Sequence, residues 1–98
     1  MEIIYGGRWG TVCDDNWDLR DANVVCRSLG FLGATEVVLR AGFGQGTGPI
    51  FLDDVGCFGS EEKILECPNR GLGVHDCGHS EDAGVRCEVL QGLLYEIV

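Results

Sequence analysis

The sequence predicts a small, disulfide-stapled α+β domain, with a curved antiparallel sheet cradling one main α-helix and long ordered loops around it. Six cysteines in 98 residues are an even count far above ordinary usage, which in so short a chain signals a disulfide framework in an oxidising compartment. Sixteen glycines favour tight turns and ordered loops over long helices. Helical periodicity is convincing in one stretch alone, and short β-rich runs flank it on both sides. The length fits one domain, placed at residues 1–90 with 91–98 as a tail, and the 45% apolar content is enough for a small core. Zinc would need closely spaced pairs such as C-x-x-C, whereas the cysteines from Cys57 onward (Cys57, Cys67, Cys77, Cys87) fall every ten residues. Three disulfides are therefore expected.

Residues 2–5 (Glu2, Ile3, Ile4, Tyr5) read as a strand, Gly6-Gly7 as a turn, and residues 8–13 as the returning strand. Trp9, Thr11 and Cys13 alternate onto one face, and Trp9 and Trp17 read as core or wall residues. The strand breaks into Asp14 and Asp15, whose mutual repulsion on one short turn needs a cation or hydrogen-bond donors to compensate it. Asp18 stands as N-cap of the helix, with Asp21 three residues on. Leu19, Ala22, Val25, Cys26 and Leu29 share the face expected to point inward. Arg20, Asp21, Asn23 and Arg27 are expected to point out, and Gly30 ends the helix. Residues 35–39 form the next β-rich run. The glycine-rich residues 41–49 lack the Gly-Lys-Ser/Thr ending of a phosphate loop and precede a strand rather than a helix. Residues 50–52 read as a buried strand leading into a second acidic pair, Asp53-Asp54. A short helix is expected over residues 61–67, carrying Ile64 and Leu65 inward, then a loop over 68–73. A polar cluster from His75 to Asp82 precedes a closing strand over 85–90.

Charge and motif spacing exclude several functions. The net charge of -9 opposes nucleic-acid or anionic-membrane binding through a basic face, and Arg8, Arg20, Arg27, Arg40 and Arg70 are scattered. No run approaches the roughly 20 apolar residues of a membrane span. No basic-plus-apolar leader opens the sequence, so a piece of a larger secreted or cell-surface protein is expected. Catalysis is not expected. Ser28, Ser60 and Ser80 lie in no nucleophile elbow, and His75 and His79 flank a half-cystine instead of sharing a helix face.

The segments Gly10-Thr11-Val12-Cys13-Asp14-Asp15-Asn16-Trp17, Asp21-Ala22-Asn23-Val24-Val25-Cys26-Arg27-Ser28-Leu29-Gly30-Phe31, Gly48-Pro49-Ile50-Phe51-Leu52-Asp53-Asp54-Val55 and His75-Asp76-Cys77 through Val85-Arg86-Cys87 closely resemble the scavenger receptor cysteine-rich domain family. With Phe31 where the eight-cysteine group has another cysteine, the chain is similar to the six-cysteine group A. The resemblance implies the pairs Cys13–Cys77, Cys26–Cys87 and Cys57–Cys67; spacing alone leaves fifteen pairings open. It also implies a cation on Asp14, Asp15 and Glu81, and in some members a second on Asp53 and Asp76, with Asp54 adjacent. Calcium suits such sets, since it takes about six to eight oxygens with carboxylates among them. The hairpin residues Glu2, Ile3, Ile4, Arg8 and Trp9 resemble a surface-binding segment of mucosal members.

The function implied is a non-catalytic extracellular recognition module that binds polyanionic or protein ligands through calcium. A structural or adhesion module, or an accessory domain of a secreted protease, is the alternative. Family members carry an earlier first strand that this sequence lacks, and residues 93–98 fall outside the family pattern. That tail is expected to pair with a sheet edge, on its own domain or exchanged into a second copy to form a homodimer, with Gly92 as hinge.

Overall fold

The computed structural model describes residues 1–88 and the backbone of 94–97. Expectations about Leu90, Gly92, Leu93 and Val98 lie outside the described residues. The first sheet opens with β1 (Glu2–Tyr5) and β2 (Arg8–Val12), antiparallel and paired through Tyr5 and Arg8. Gly6 and Gly7 both hold positive φ, +58° and +79°, as a two-residue hairpin turn requires. The helix α1 (Leu19–Ser28) and β3 (Gly33–Val38) follow. Next, β4 (Ile50–Leu52) joins β2 in parallel, which the long crossover through α1 and β3 permits. Gly10 is what lets β2 lie on β4: a Cβ there would sit 2.6 Å from the Phe51 ring and 2.8 Å from the Pro49 carbonyl oxygen.

The second sheet is antiparallel, ordered β3, β5 (Gly84–Glu88) and β6 (Leu94–Ile97), so tail residues 94–97 pair with β5. The α+β architecture with one helix therefore holds. The expected antiparallel sheet is divided into two of three strands, one of them mixed. All six cysteines pair, as Cys13–Cys77, Cys26–Cys87 and Cys57–Cys67, the connectivity that the resemblance implies. Val12, Val24, Leu52, Val55 and Val85 fill the centre between helix and sheets, fully buried.

Several inward assignments are corrected. Leu19 and Leu29 are about half exposed, because a ten-residue helix covers the core only with its middle turns. Asp21, expected outside, is buried with Val24 beside Ala22, Val25 and Cys26. Its burial is affordable because both oxygens are occupied: Oδ1 accepts from Cys57 N at 2.8 Å and Oδ2 from Asp18 N at 2.8 Å. With the Asp18 side chain accepting from Arg20 N and Asp21 N, this makes a reciprocal capping box. Asn23 also faces structure, and its Oδ1 accepts from Ala34 N of β3 at 2.7 Å. Residues 61–67 form only a 3₁₀ turn, Ile64–Glu66, with Ile64 buried and Leu65 exposed. Trp17 is core, its Nε1 donating to Gly84 O at 3.3 Å, whereas Trp9 is 58% exposed on the hairpin.

Candidate metal centre

Backbone hydrogen bonds strap three acidic segments together at the end of β2. Cys13 N donates to Leu52 O at 2.9 Å and Asp14 N to Glu81 O at 2.8 Å, and Cys13 bridges Asp82. The Cys13–Cys77 disulfide closes the same junction. Asn16 and Asp54 both adopt left-handed backbone, φ +62° and +50°, a conformation that Asn and Asp tolerate better than most residues. Asn16 Nδ2 donates to Asp54 Oδ1 at 2.7 Å, latching one loop to the other.

Asp15 lies where the two expected cation sets meet. One of its oxygens lies within 4.8 Å of Glu81 beside the Cys13–Cys77 sulfurs, and one lies within the same distance of Asp53 and Asp76. The sulfurs are not ligands, since a half-cystine has no thiolate to offer; the same disqualifies the grouping of Cys57, Glu61 and Cys67. Among the described residues no N–H donates to Asp15, and the Cys77 sulfur lies 3.5 Å from its Oδ2. Desolvation pushes the Asp15 carboxyl up to about 6, reinforced by the charges of Asp53, Glu81, Asp76 and Asp54. Glu81 Oε2 accepts from Gly78 N at 3.2 Å. Carboxylate oxygens without a thiolate or imidazole among them are a hard donor set, which fits calcium.

The other predicted ligands are committed elsewhere to different degrees. Asp14 Oδ2 accepts from Arg40 N at 2.6 Å, so Asp14 fixes the left-handed pair Arg40 and Ala41, φ +53° and +52°. Asp53 is fully buried; its Oδ1 accepts from Asp54 N at 2.7 Å and its Oδ2 faces Arg70 Nη1 at 3.2 Å. Arg70 also lies 3.7 Å from Asp54 Oδ2 and 3.5 Å from Asp76 Oδ1. Asp82 is buried and structural, its Oδ2 accepting from Gly46 N at 2.7 Å and facing His79 Nδ1 at 3.0 Å. His79 Nε2 lies 2.9 Å from Gly48 O. That carbonyl is the largest influence and raises the His79 pKa; burial opposes it, and Asp82 adds a smaller upward push. The glycine-rich loop is thus tied down by Asp82 and His79.

On the hairpin, Glu2, Ile4, Arg8 and Trp9 are exposed and Ile3 is half-buried. Glu2, Ile3, Ile4 and Trp9 line an apolar groove of about 260 Å³ together with Leu29 and Ile64. Sequence reasoning missed Arg70 and the Asn16 latch. The Pro68-Asn69-Arg70-Gly71 turn carried a signal for Arg70, since Asn-x-Gly fixes a turn, but nothing local told which carboxylates it would meet.

The three-disulfide α+β frame and the acidic junction define the class, and the chain belongs to the scavenger receptor cysteine-rich domain family, whose pattern matches residues 1–88. It is 59% identical over 87 residues to macrophage scavenger receptor types I and II of Bos taurus, covering 89% of this chain and 19% of that protein. It is 54% identical over 87 residues to a scavenger receptor cysteine-rich domain superfamily protein of Patiria pectinifera, covering 89% of this chain and 8% of that one. The chain thus spans less than a fifth of these relatives. Among solved structures, the dimeric form of the SRCR domain of mouse MARCO matches with TM-score 0.83 and 43% identity, over 90% of this chain and 83% of that one. The third SRCR domain of murine neurotrypsin matches with TM-score 0.81 and 46% identity, over 92% and 84%.

Proposed function

We propose that this domain is a non-catalytic, extracellular recognition module that binds polyanionic or protein ligands through a calcium ion centred on Asp15 and Glu81. Asp14, whose Oδ2 is held by Arg40 N, has a second oxygen for the ion. The observation that carries this reading is the placement of Asp15, whose carboxylate lies within 4.8 Å of Glu81 and of Asp53 and Asp76 with no N–H donor among the described residues, where a cation would relieve the crowding. Calcium keeps open coordination positions that sulfate, phosphate or carboxylate oxygens can fill. This is how a chain of net charge -9 would hold an anion. Three disulfides support an oxidising, extracellular setting, and the likeness to macrophage scavenger receptor types I and II supports ligand capture as the role.

The test is binding to a dextran sulfate surface with calcium and with a chelator. Binding is expected only with calcium. Equal binding in both would overturn the mechanism and favour an adhesion or protease-accessory module that needs no cation. A second reading, homodimerisation, is favoured by the dimeric form of the mouse MARCO domain; β6 pairs with β5 of its own chain, and exchange would transfer that pairing to a second copy. If two copies exchange this strand, deleting residues 93–98 will change the elution volume on gel filtration; an unchanged volume will rule exchange out.

A further inference from the structure

We infer that Arg70 is the built-in cation of the second carboxylate group, so that the domain holds one calcium ion, on the Asp15–Glu81 side, rather than two; this rests on the calcium reading above. A fully buried carboxylate such as Asp53 needs a compensating charge or hydrogen-bond donors beside it. It has both, with Asp54 N on Oδ1 and the Arg70 guanidinium at 3.2 Å from Oδ2. The same guanidinium lies 3.7 Å from Asp54 and 3.5 Å from Asp76. One side chain therefore collects Asp53 and Asp76, on which the resemblance implies a second cation, together with the adjacent Asp54, and a guanidinium does not deprotonate in a protein.

The placement of Arg70 is built into its turn. Arg70 N donates to Asp53 O at 3.3 Å. Asn69 Oδ1 accepts from Gly71 N at 2.7 Å, and Asn69 Nδ2 donates to Cys67 O at 2.9 Å, anchoring the turn at a disulfide. Gly71 holds φ +118°, which a residue with a Cβ would resist. A divalent ion entering this group would have to break three ion pairs and expel a positive charge. Glu81, which groups with Asp15 but not with Asp53 and Asp76, pairs with no cationic side chain among the described residues, so the Asp15–Glu81 group is the one left for calcium.

The test is a calorimetric calcium titration of the full chain. The wild type should bind one ion, Arg70→Lys one, and Arg70→Gln two, the second being lost again in Arg70→Gln/Asp76→Asn. Because Arg70→Gln leaves Asp53 unpaired and could fail to fold, Asp76→Asn alone provides a second measurement. Asp76 is 72% exposed, and its loss should leave the stoichiometry at one and the affinity within about threefold, as screening of an exposed charge predicts. Two ions on the wild type, one on folded Arg70→Gln, or loss of an ion in Asp76→Asn would each overturn the assignment. No calcium on the wild type would overturn the calcium reading itself, a result that none of the other failures produces.

Discussion

Asp15, on the turn after β2, and Asp21, in the first turn of α1, are both carboxylates pushed up to about 6, with burial the largest cause in each. Their surroundings differ. Asp21 receives backbone N–H groups from Asp18 and Cys57, and these hold its shift in check against the neighbouring Asp18 charge. Among the described residues Asp15 receives none, and its other neighbours are four carboxylates. A raised carboxylate is thus no mark of function by itself. The discriminating observation is whether the protein supplies the compensating donors or leaves them to be supplied from outside.

The largest effect that sharpens this contrast comes from the disulfides, because each region is bolted by a different one. Removing Cys26–Cys87 or Cys13–Cys77, with sequence separations of 61 and 64, should cost about 4 kcal/mol each in the chain-entropy account, against about 3 for Cys57–Cys67. Denaturant unfolding of the paired Cys→Ser variants checks the order. Loss of Cys13–Cys77 should also weaken calcium binding, whereas the helix staple should leave affinity unchanged at temperatures where the domain is folded.

Next in size is Asp21→Ala, expected to cost about 2 to 3 kcal/mol because two N–H groups, one of them buried, lose their acceptor. Calcium affinity should not move. Asp15→Asn should do the opposite: calcium affinity falls at least about tenfold as one carboxylate ligand is lost, while chelated stability holds or rises as repulsion is relieved. If the two variants behaved alike in both assays, the distinction between a satisfied and an unsatisfied carboxylate would fail.

The smallest effect is in pH. Both carboxyls bind protons more tightly in the folded state than at their usual value of 3.8. Their contribution to stability is therefore greatest below that pH and is lost as pH rises from 3.8 to about 6. Saturating calcium competes with the proton on Asp15 and should reverse that share of the slope, leaving the share of Asp21. Melting temperatures across this window, with calcium and with chelator, should diverge as pH rises; parallel curves would remove Asp15 from the site.

Much of the fold was legible because its signals are local. Gly6-Gly7 fixes a hairpin turn, Asp18 and Asp21 a helix start, and residues 50–52 a strand whose bounds coincide with β4. The direction in which Asp21, Leu19, Leu65 and Trp9 face was not legible, since it depends on what packs opposite. A buried aspartate is readable only once Cys57 N is seen above it. At the site, residue type pointed to Asp15 and Glu81. Asp14 looked equivalent to Asp15 in sequence, but a backbone amide 26 residues later, at Arg40, engages one of its two oxygens. Arg70 was counted as one scattered cation because its three partners are distant along the chain or lie past a turn.

The latch between Asn16 and Asp54 bears on the speed of the site as well as its shape. Both residues hold the left-handed backbone, and their hydrogen bond joins protein groups, so the loops carrying Asp15 and Asp54 are tied to each other without an ion's help. Little ordering is then left for the binding step, and capture should need no slow closure. Calcium should enter about as fast as its water shell and diffusion allow, with its lifetime on the domain set by departure. Such a module would follow changes in the calcium around it without lag, releasing a captured anion as soon as the ion leaves.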